Sequence, residues 1–108
     1  MRIDSLDDLQ DQVDGWVRAH GGYFPPLAQL ARLTEELGEV ARAANGLWGG
    51  KTPRPGLVPA DLAEEIGDML FVLSCLANQA DIRLSEAAAA ALAKSMGRDG
   101  ARFKDLDG

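Results

Sequence analysis

Apolar residues return along this chain at steps of three and four rather than in alternation, which is the spacing of helices. Leu6, Leu9, Val13, Trp16 and Val17 predict an amphipathic helix over about residues 5–19. Ser5-Leu6-Asp7-Asp8 has the form of a capping box, with an acid at the third helical position, and His20-Gly21-Gly22 supplies a left-handed stop. Pro25 and Pro26 can only open a helix. Leu27, Leu30, Leu33, Leu37, Val40 and Ala44 then form one stripe, predicting a second helix over about 26–45. Asn45-Gly46 and Gly49-Gly50 close it, and the stretch 51–59, with three prolines, reads as a loop and the candidate lid. Pro59-Ala60-Asp61 opens a third helix over about 60–80. Its second half, from Met69 to Ala77, is apolar on nearly every side, so it is expected at the centre. Ser85 caps an alanine-rich fourth helix over about 85–96, ended by Gly97 and followed by a tail carrying Arg98, Arg102 and Lys104. No segment has the clustered β-branching or hairpin turns of strands. The expected fold is all-α.

Size changes that picture in one respect. A chain of 108 residues makes one domain, spanning 1–108, but buries only about two thirds of its unfolded surface. An uncovered apolar helix face would then favour a bundle completed by oligomerisation. Charge removes a class of function: acids outnumber bases 17 to 11, so counterion release cannot drive binding to a nucleic-acid backbone. Cys75, the only cysteine, lies in an apolar run and reads as a buried small hydrophobe in a reducing compartment. The first twenty residues carry acids rather than the basic start of a secretion signal. The longest apolar stretch falls far short of the roughly 20 residues of a membrane span. A cytoplasmic protein with no membrane partner is expected.

The candidate chemistry lies in two acidic motifs. Glu35-Glu36-x-x-Glu39 falls mid-way along the second helix and Glu65-x-x-Asp68 along the third. Residues three apart are neighbours on a helix, so Glu36/Glu39 and Glu65/Asp68 are two like-charged pairs that need compensation. Antiparallel packing across the connecting loop would bring the pairs face to face. Hard cations such as Mg2+ or Mn2+ take such oxygen ligands. The alternative is a solvated acidic face. It stays open on the second helix, where Arg32 is placed to pair with Glu35 or Glu36, and Arg42 with Glu39. It is weaker on the third, where no Lys or Arg occurs between Arg54 and Arg83, and where Glu65, Asp68 and Val72 share one side leading into the apolar half. One His and one Cys cannot build a zinc site or a Cys/His dyad, and no glycine pattern follows a strand as in a phosphate loop.

The ordered pair of motifs, Leu33-Thr34-Glu35-Glu36-Leu37-Gly38-Glu39-Val40 and Glu64-Glu65-Ile66-Gly67-Asp68-Met69-Leu70-Phe71, resembles the MazG-like nucleoside triphosphate pyrophosphohydrolases. Gly22-Tyr23-Phe24, Leu76-Ala77-Asn78, Lys94 and Arg98-Asp99 are similar to the small single-domain branch, so the likeness covers nearly the whole chain. The resemblance implies an all-α homo-oligomer, a dimer or dimer of dimers. It also implies cleavage of a nucleoside triphosphate between its α and β phosphates to a monophosphate and pyrophosphate. Carried over by position, Glu36, Glu39, Glu65 and Asp68 would hold Mg2+, with Mn2+ as a substitute. Glu35 would help hold or activate the attacking water, and Lys94, Arg98 and Arg102 would reach the phosphates. Tyr23, Trp48 and Asn78 are the candidates for base or sugar. Two other readings compete: a non-catalytic helical interaction module, and a phosphoribosyl-ATP pyrophosphohydrolase-like enzyme of the same superfamily.

Overall fold

Ser5 opens the first helix as read. Its side chain accepts from the Asp8 backbone N–H at 3.0 Å, while the Asp8 carboxylate reaches one residue beyond the cap, to the Asp4 N–H at 3.0 Å. In this computed structural model the chain forms α1 (Leu6–Ala19), α2 (Pro26–Ala44), α3 (Pro59–Gln79) and α4 (Leu84–Asp107). The backbone is described for residues 1–49 and 59–107, and side chains for 1–49 and 61–98. The candidate lid over 51–59 therefore lies outside the described residues up to Pro59, which opens α3. The side chain of Arg102 also lies outside them. Among the described residues there is no strand, and no helix is long and apolar enough to cross a membrane.

Each helix end has a local cause. Gly21 and Gly22 take positive φ after α1, and the Gly22 N–H donates to the Val17 carbonyl at 2.9 Å. Pro26 begins α2, where its missing N–H is no loss. Beyond Ala44 the chain does not stop at Asn45 but widens into a π-helical turn, Asn45–Gly49, in which a Cβ on Gly49 would lie 2.7 Å from the Asn45 side-chain oxygen. At the end of α3, Asp81 occupies the left-handed position usually held by glycine (φ 57°). The N–H groups of Asp81 and Ile82 close the helix onto Asn78 and Ala77.

Two expectations need correction. The fourth helix does not end at Gly97 but continues to Asp107. A glycine inside a helix costs only about 1 kcal/mol relative to alanine, and no proline follows Gly97 to end the helix. The apolar stripe of α2 is also only partly covered: Leu33, Val40 and Ala44 are half-buried, the other leucines exposed. Leu27 is 79% exposed and Leu37 53%, whereas Gln29 and Ala43 are the buried positions. The α2 face that meets α3 carries Gln29, Leu33, Glu36, Val40 and Ala43, which fall close together at about 100° per residue.

Helix α3 is central, as its apolar second half predicts: Val72, Ser74, Cys75 and Ala77 are buried. It packs on α2 along most of its length and on α1 through Cys75 and Phe71, which meet Leu9, Val13, Val17 and Tyr23. Helix α4 leans chiefly on α1. Arg83, just before it, pairs with Asp11 at 2.8 Å, and Ser85 donates to Asp7 at 2.9 Å. The Cα radius of gyration is 17.1 Å, against about 13 Å for a compact chain of this length. Leu92 and Met96 on α4 remain largely exposed.

Candidate metal centre

The antiparallel packing of α2 and α3 brings two acidic motifs to one place. One carboxylate oxygen each from Glu36, Glu65 and Asp68 lies within 4.8 Å of the other two. Glu36 and Glu65 are half-buried and Asp68 is exposed, so the cluster opens to solvent on the Asp68 side. Oxygens around Mg2+ at about 2.1 Å stand no more than about 4.2 Å apart, so small side-chain rotations would close this triangle on a hard cation. The donor set, all carboxylate, suits such an ion.

Glu39 lies outside that triangle but belongs to its field. Burial pushes the Glu65 carboxyl up from its usual value, and the charges of Glu39, Asp68, Glu36 and Glu64 push it further. Among the described residues no cation offsets this repulsion by an ion pair. Arg32, one of the two local cations that could have relieved it, is engaged elsewhere: it donates to the Gln29 side chain at 3.2 Å and lies over the Phe24 ring at 5.0 Å. Among the described residues, neither Arg32 nor Arg42 forms an ion pair with Glu35, Glu36 or Glu39.

The other expected residues are distributed differently. Glu35 is exposed on α2, outside the triangle. Lys94 and Arg98 are exposed on α4, and Lys94 reaches no described carboxylate within ion-pair distance. Trp48 lies at the π-helical turn, 75% exposed. Tyr23 and Asn78 are joined to each other within a polar network between α1 and α3. The Tyr23 hydroxyl donates to Asp14 at 2.6 Å and accepts from Asn78 at 3.0 Å. Asn78 also donates to the Gln10 carbonyl and accepts from the Gln10 side chain. Gln10, buried, caps the start of α4 by accepting from the Leu84 N–H at 2.7 Å. Sequence reading missed Gln10, although a glutamine interrupting the Leu6, Val13, Val17 stripe at helical spacing was a legible signal.

Residues 24–103 match the MazG nucleotide pyrophosphohydrolase domain, well over half of the chain. The chain belongs to the MazG nucleotide pyrophosphohydrolase family. Over 84 residues, 77% of its length and 76% of the relative's, it is 50% identical to an uncharacterized protein of Bacillus subtilis (strain 168), YpjD. The fold is similar to the crystal structure of YpjD from Bacillus subtilis, with a TM-score of 0.78 and 46% identity over 87% of this chain and 97% of that one. It is also similar to the crystal structure of the Bacillus-conserved MazG protein, a nucleotide pyrophosphohydrolase, with a TM-score of 0.74 and 39% identity over 87% and 92% of the two chains. Membership of the MazG family makes the chain a nucleotide-hydrolysing enzyme, which displaces the reading as a non-catalytic interaction module.

Proposed function

We propose that this MazG domain, spanning residues 1–108, hydrolyses a nucleoside triphosphate between its α and β phosphates, releasing the monophosphate and pyrophosphate in a Mg2+-dependent reaction. The observation that carries the reading is the convergence of Glu36, Glu65 and Asp68 from two helices onto one point, with no ion pair to any of them among the described residues. Those three carboxylates would hold Mg2+, with Mn2+ as substitute, and Glu39 completes the acidic wall. Bound there, the ion would offset the triphosphate charge and lower the pKa of water. Glu35, exposed at the rim, accepts a proton from the attacking water. Lys94, Arg98 and Arg102 on α4 supply cations for the departing pyrophosphate. In this reading the uncovered leucine face of α2 and the exposed Leu92 and Met96 of α4 meet a second copy. That contact makes a dimer or dimer of dimers and brings α4 into use. The buried, unpaired Cys75 fits a cytoplasmic setting.

The test is a panel of canonical nucleoside triphosphates incubated with Mg2+ while pyrophosphate and orthophosphate are measured separately. Pyrophosphate in step with monophosphate is expected. Orthophosphate alone would overturn cleavage at the α–β bond. Mass in solution, read by light scattering, checks the oligomer.

A further inference from the structure

A cavity of about 260 Å³ lies where α1, α2 and α3 meet, lined among others by Trp16, His20, Phe24, Gln29, Arg32 and Cys75. Its place relative to the carboxylates follows from the helices. Arg32 and Gln29 precede Glu36 by one and two turns on the same face of α2, and Cys75 follows Asp68 by two turns on α3. At about 1.5 Å per residue the cavity begins roughly 6 Å from the carboxylate cluster and ends roughly 10 Å from it. That is the scale separating the phosphates of a nucleotide from its base. The walls suit a flat heterocycle. Trp16 stacks on His20 with ring centroids 4.4 Å apart and meets the Phe71 ring edge-on at 6.0 Å.

One polar group inside is unspent. Gln29 is only 1% exposed. Its Oε1 accepts from Arg32, and because a guanidinium can only donate, the amide is pinned with oxygen toward Arg32. Among the described residues its Nε2 meets no acceptor, and the atom is not sealed from solvent, so a free donor stands at the cavity surface for whatever enters. We propose that this cavity seats the base of the nucleotide substrate, with Trp16 as its stacking wall and the Gln29 Nε2 donating to a ring nitrogen or carbonyl oxygen on the inward edge. The proposal rests on the proposed pyrophosphohydrolase reading and deepens it, since it places base selectivity in the α1–α2–α3 junction. Trp16 and His20 precede the residues matched to the family.

Binding measured without turnover separates the two readings. Calorimetry in Mg2+ with α,β-methylene nucleoside triphosphates, which cannot break at that bond, gives the affinity of base and phosphates together. Inorganic tripolyphosphate gives that of the phosphates alone. Trp16→Ala and Gln29→Leu are expected to weaken the nucleotide about tenfold and leave tripolyphosphate unchanged. Gln29→Glu, which exchanges the donor for an acceptor beside Arg32, is expected to reorder the preference among the four bases. The proposal is overturned if nucleotide affinity stays at the wild-type value in both Trp16→Ala and Gln29→Leu, or if tripolyphosphate weakens equally. It also falls if Trp48→Ala produces the loss while Trp16→Ala does not, or if Trp16→Ala changes only the oligomeric mass. Should a Gln29 variant fail to fold, Trp16→Ala decides alone, since that ring is 56% exposed and its loss opens no sealed core. Failure of every nucleotide to release pyrophosphate would sink the hydrolysis reading and leave this binding comparison to stand or fall separately.

Discussion

Toward α1, helix α3 presents Phe71, Cys75 and Asn78; toward α2, one or two turns earlier, it presents Glu65 and Asp68. On the α1 side the polar atoms are answered. Asn78 gives both amide hydrogens and its oxygen to Gln10 and Tyr23, and Tyr23 passes its own hydrogen to Asp14. On the α2 side carboxylates face carboxylates, and Arg32 turns away to Gln29 and Phe24. Both contacts come from the same helix and similar sequence spacing. Removing a group from the first should therefore cost stability, and removing one from the second should cost activity while relieving strain.

The largest effect is expected at the acidic contact. Glu65→Gln and Asp68→Asn should each lower kcat at least about 100-fold, because each removes a charged oxygen donor from the proposed cation site. Without metal, Glu65→Gln should nevertheless melt at a higher temperature than the wild type, since burial and neighbouring acids already disfavour its charged form. Millimolar Mg2+ should raise the melting temperature of the wild type and not of Glu65→Gln. A variant that loses both stability and activity would show that the two contacts of α3 do not differ as described.

At the satisfied contact the expected cost is in stability. Asn78→Ala strands Gln10 and Tyr23 in part-buried surroundings, and about 2 kcal/mol is expected from chemical denaturation. If Asn78 serves only this network, kcat and KM follow the folded fraction. A KM that rises for nucleotide in fully folded protein would instead place its amide against substrate, as its position in the motif suggested.

These two contacts were unequally legible in the chain. The apolar part of the α1 contact could be read directly, because Leu9, Val13 and Val17 obey helical spacing, but its polar network could not: Gln10 was missed, and Tyr23 and Asn78 were read as contacts to base or sugar. The acidic pairs were legible for the same reason: Glu36/Glu39 and Glu65/Asp68 stand three apart, and α3 offers no basic partner. The inner face of α2 was legible only in part. Hydrophobic periodicity selects Leu27, Leu30, Leu33, Leu37, Val40 and Ala44 as one stripe, but it cannot tell that Leu33 and Val40 turn to the protein's own core while Leu27, Leu30 and Leu37 are left outside. Here the inner face includes Gln29, Arg32 and Glu36. The same limit hid the cavity, which exists only where three helices meet. One end was misread: Gly97 stays helical, since a single glycine costs only about 1 kcal/mol and no proline follows it.

The α1 contact also sets a pH dependence. Burial first and the Asp14 carboxylate second push the Tyr23 phenol up from 10 to about 12. The folded chain thus holds this proton more tightly than the unfolded one. Its stabilisation is complete below pH 10 and disappears as pH rises through about 12. Asp14 is the mirror case: the Tyr23 hydrogen bond, then Arg18, hold its carboxyl below the usual range. Its contribution is present above the ordinary carboxylate value and is lost as pH falls through the lowered one. Tyr23→Phe should flatten the alkaline loss and weaken the acidic one, with a cost near neutrality of about 1 kcal/mol, read from melting curves across pH.

The smallest effect expected is a gain. Gly15 lies inside α1, and a Cβ added there meets nothing within 4 Å. Gly15→Ala should stabilise the protein by up to about 1 kcal/mol, because alanine loses less backbone freedom on entering a helix. It should leave kcat unchanged. The comparison with Glu65→Gln is what gives this small effect its use, since both substitutions are expected to raise the melting temperature of the metal-free protein. At Gly15 the gain comes from the unfolded chain and leaves the site untouched. At Glu65 it comes from removing a repulsion that the site needs in order to hold a cation. If Gly15→Ala also lowered kcat, stiffness of α1 would be limiting the reaction, and the two contacts of α3 would not divide stability from function.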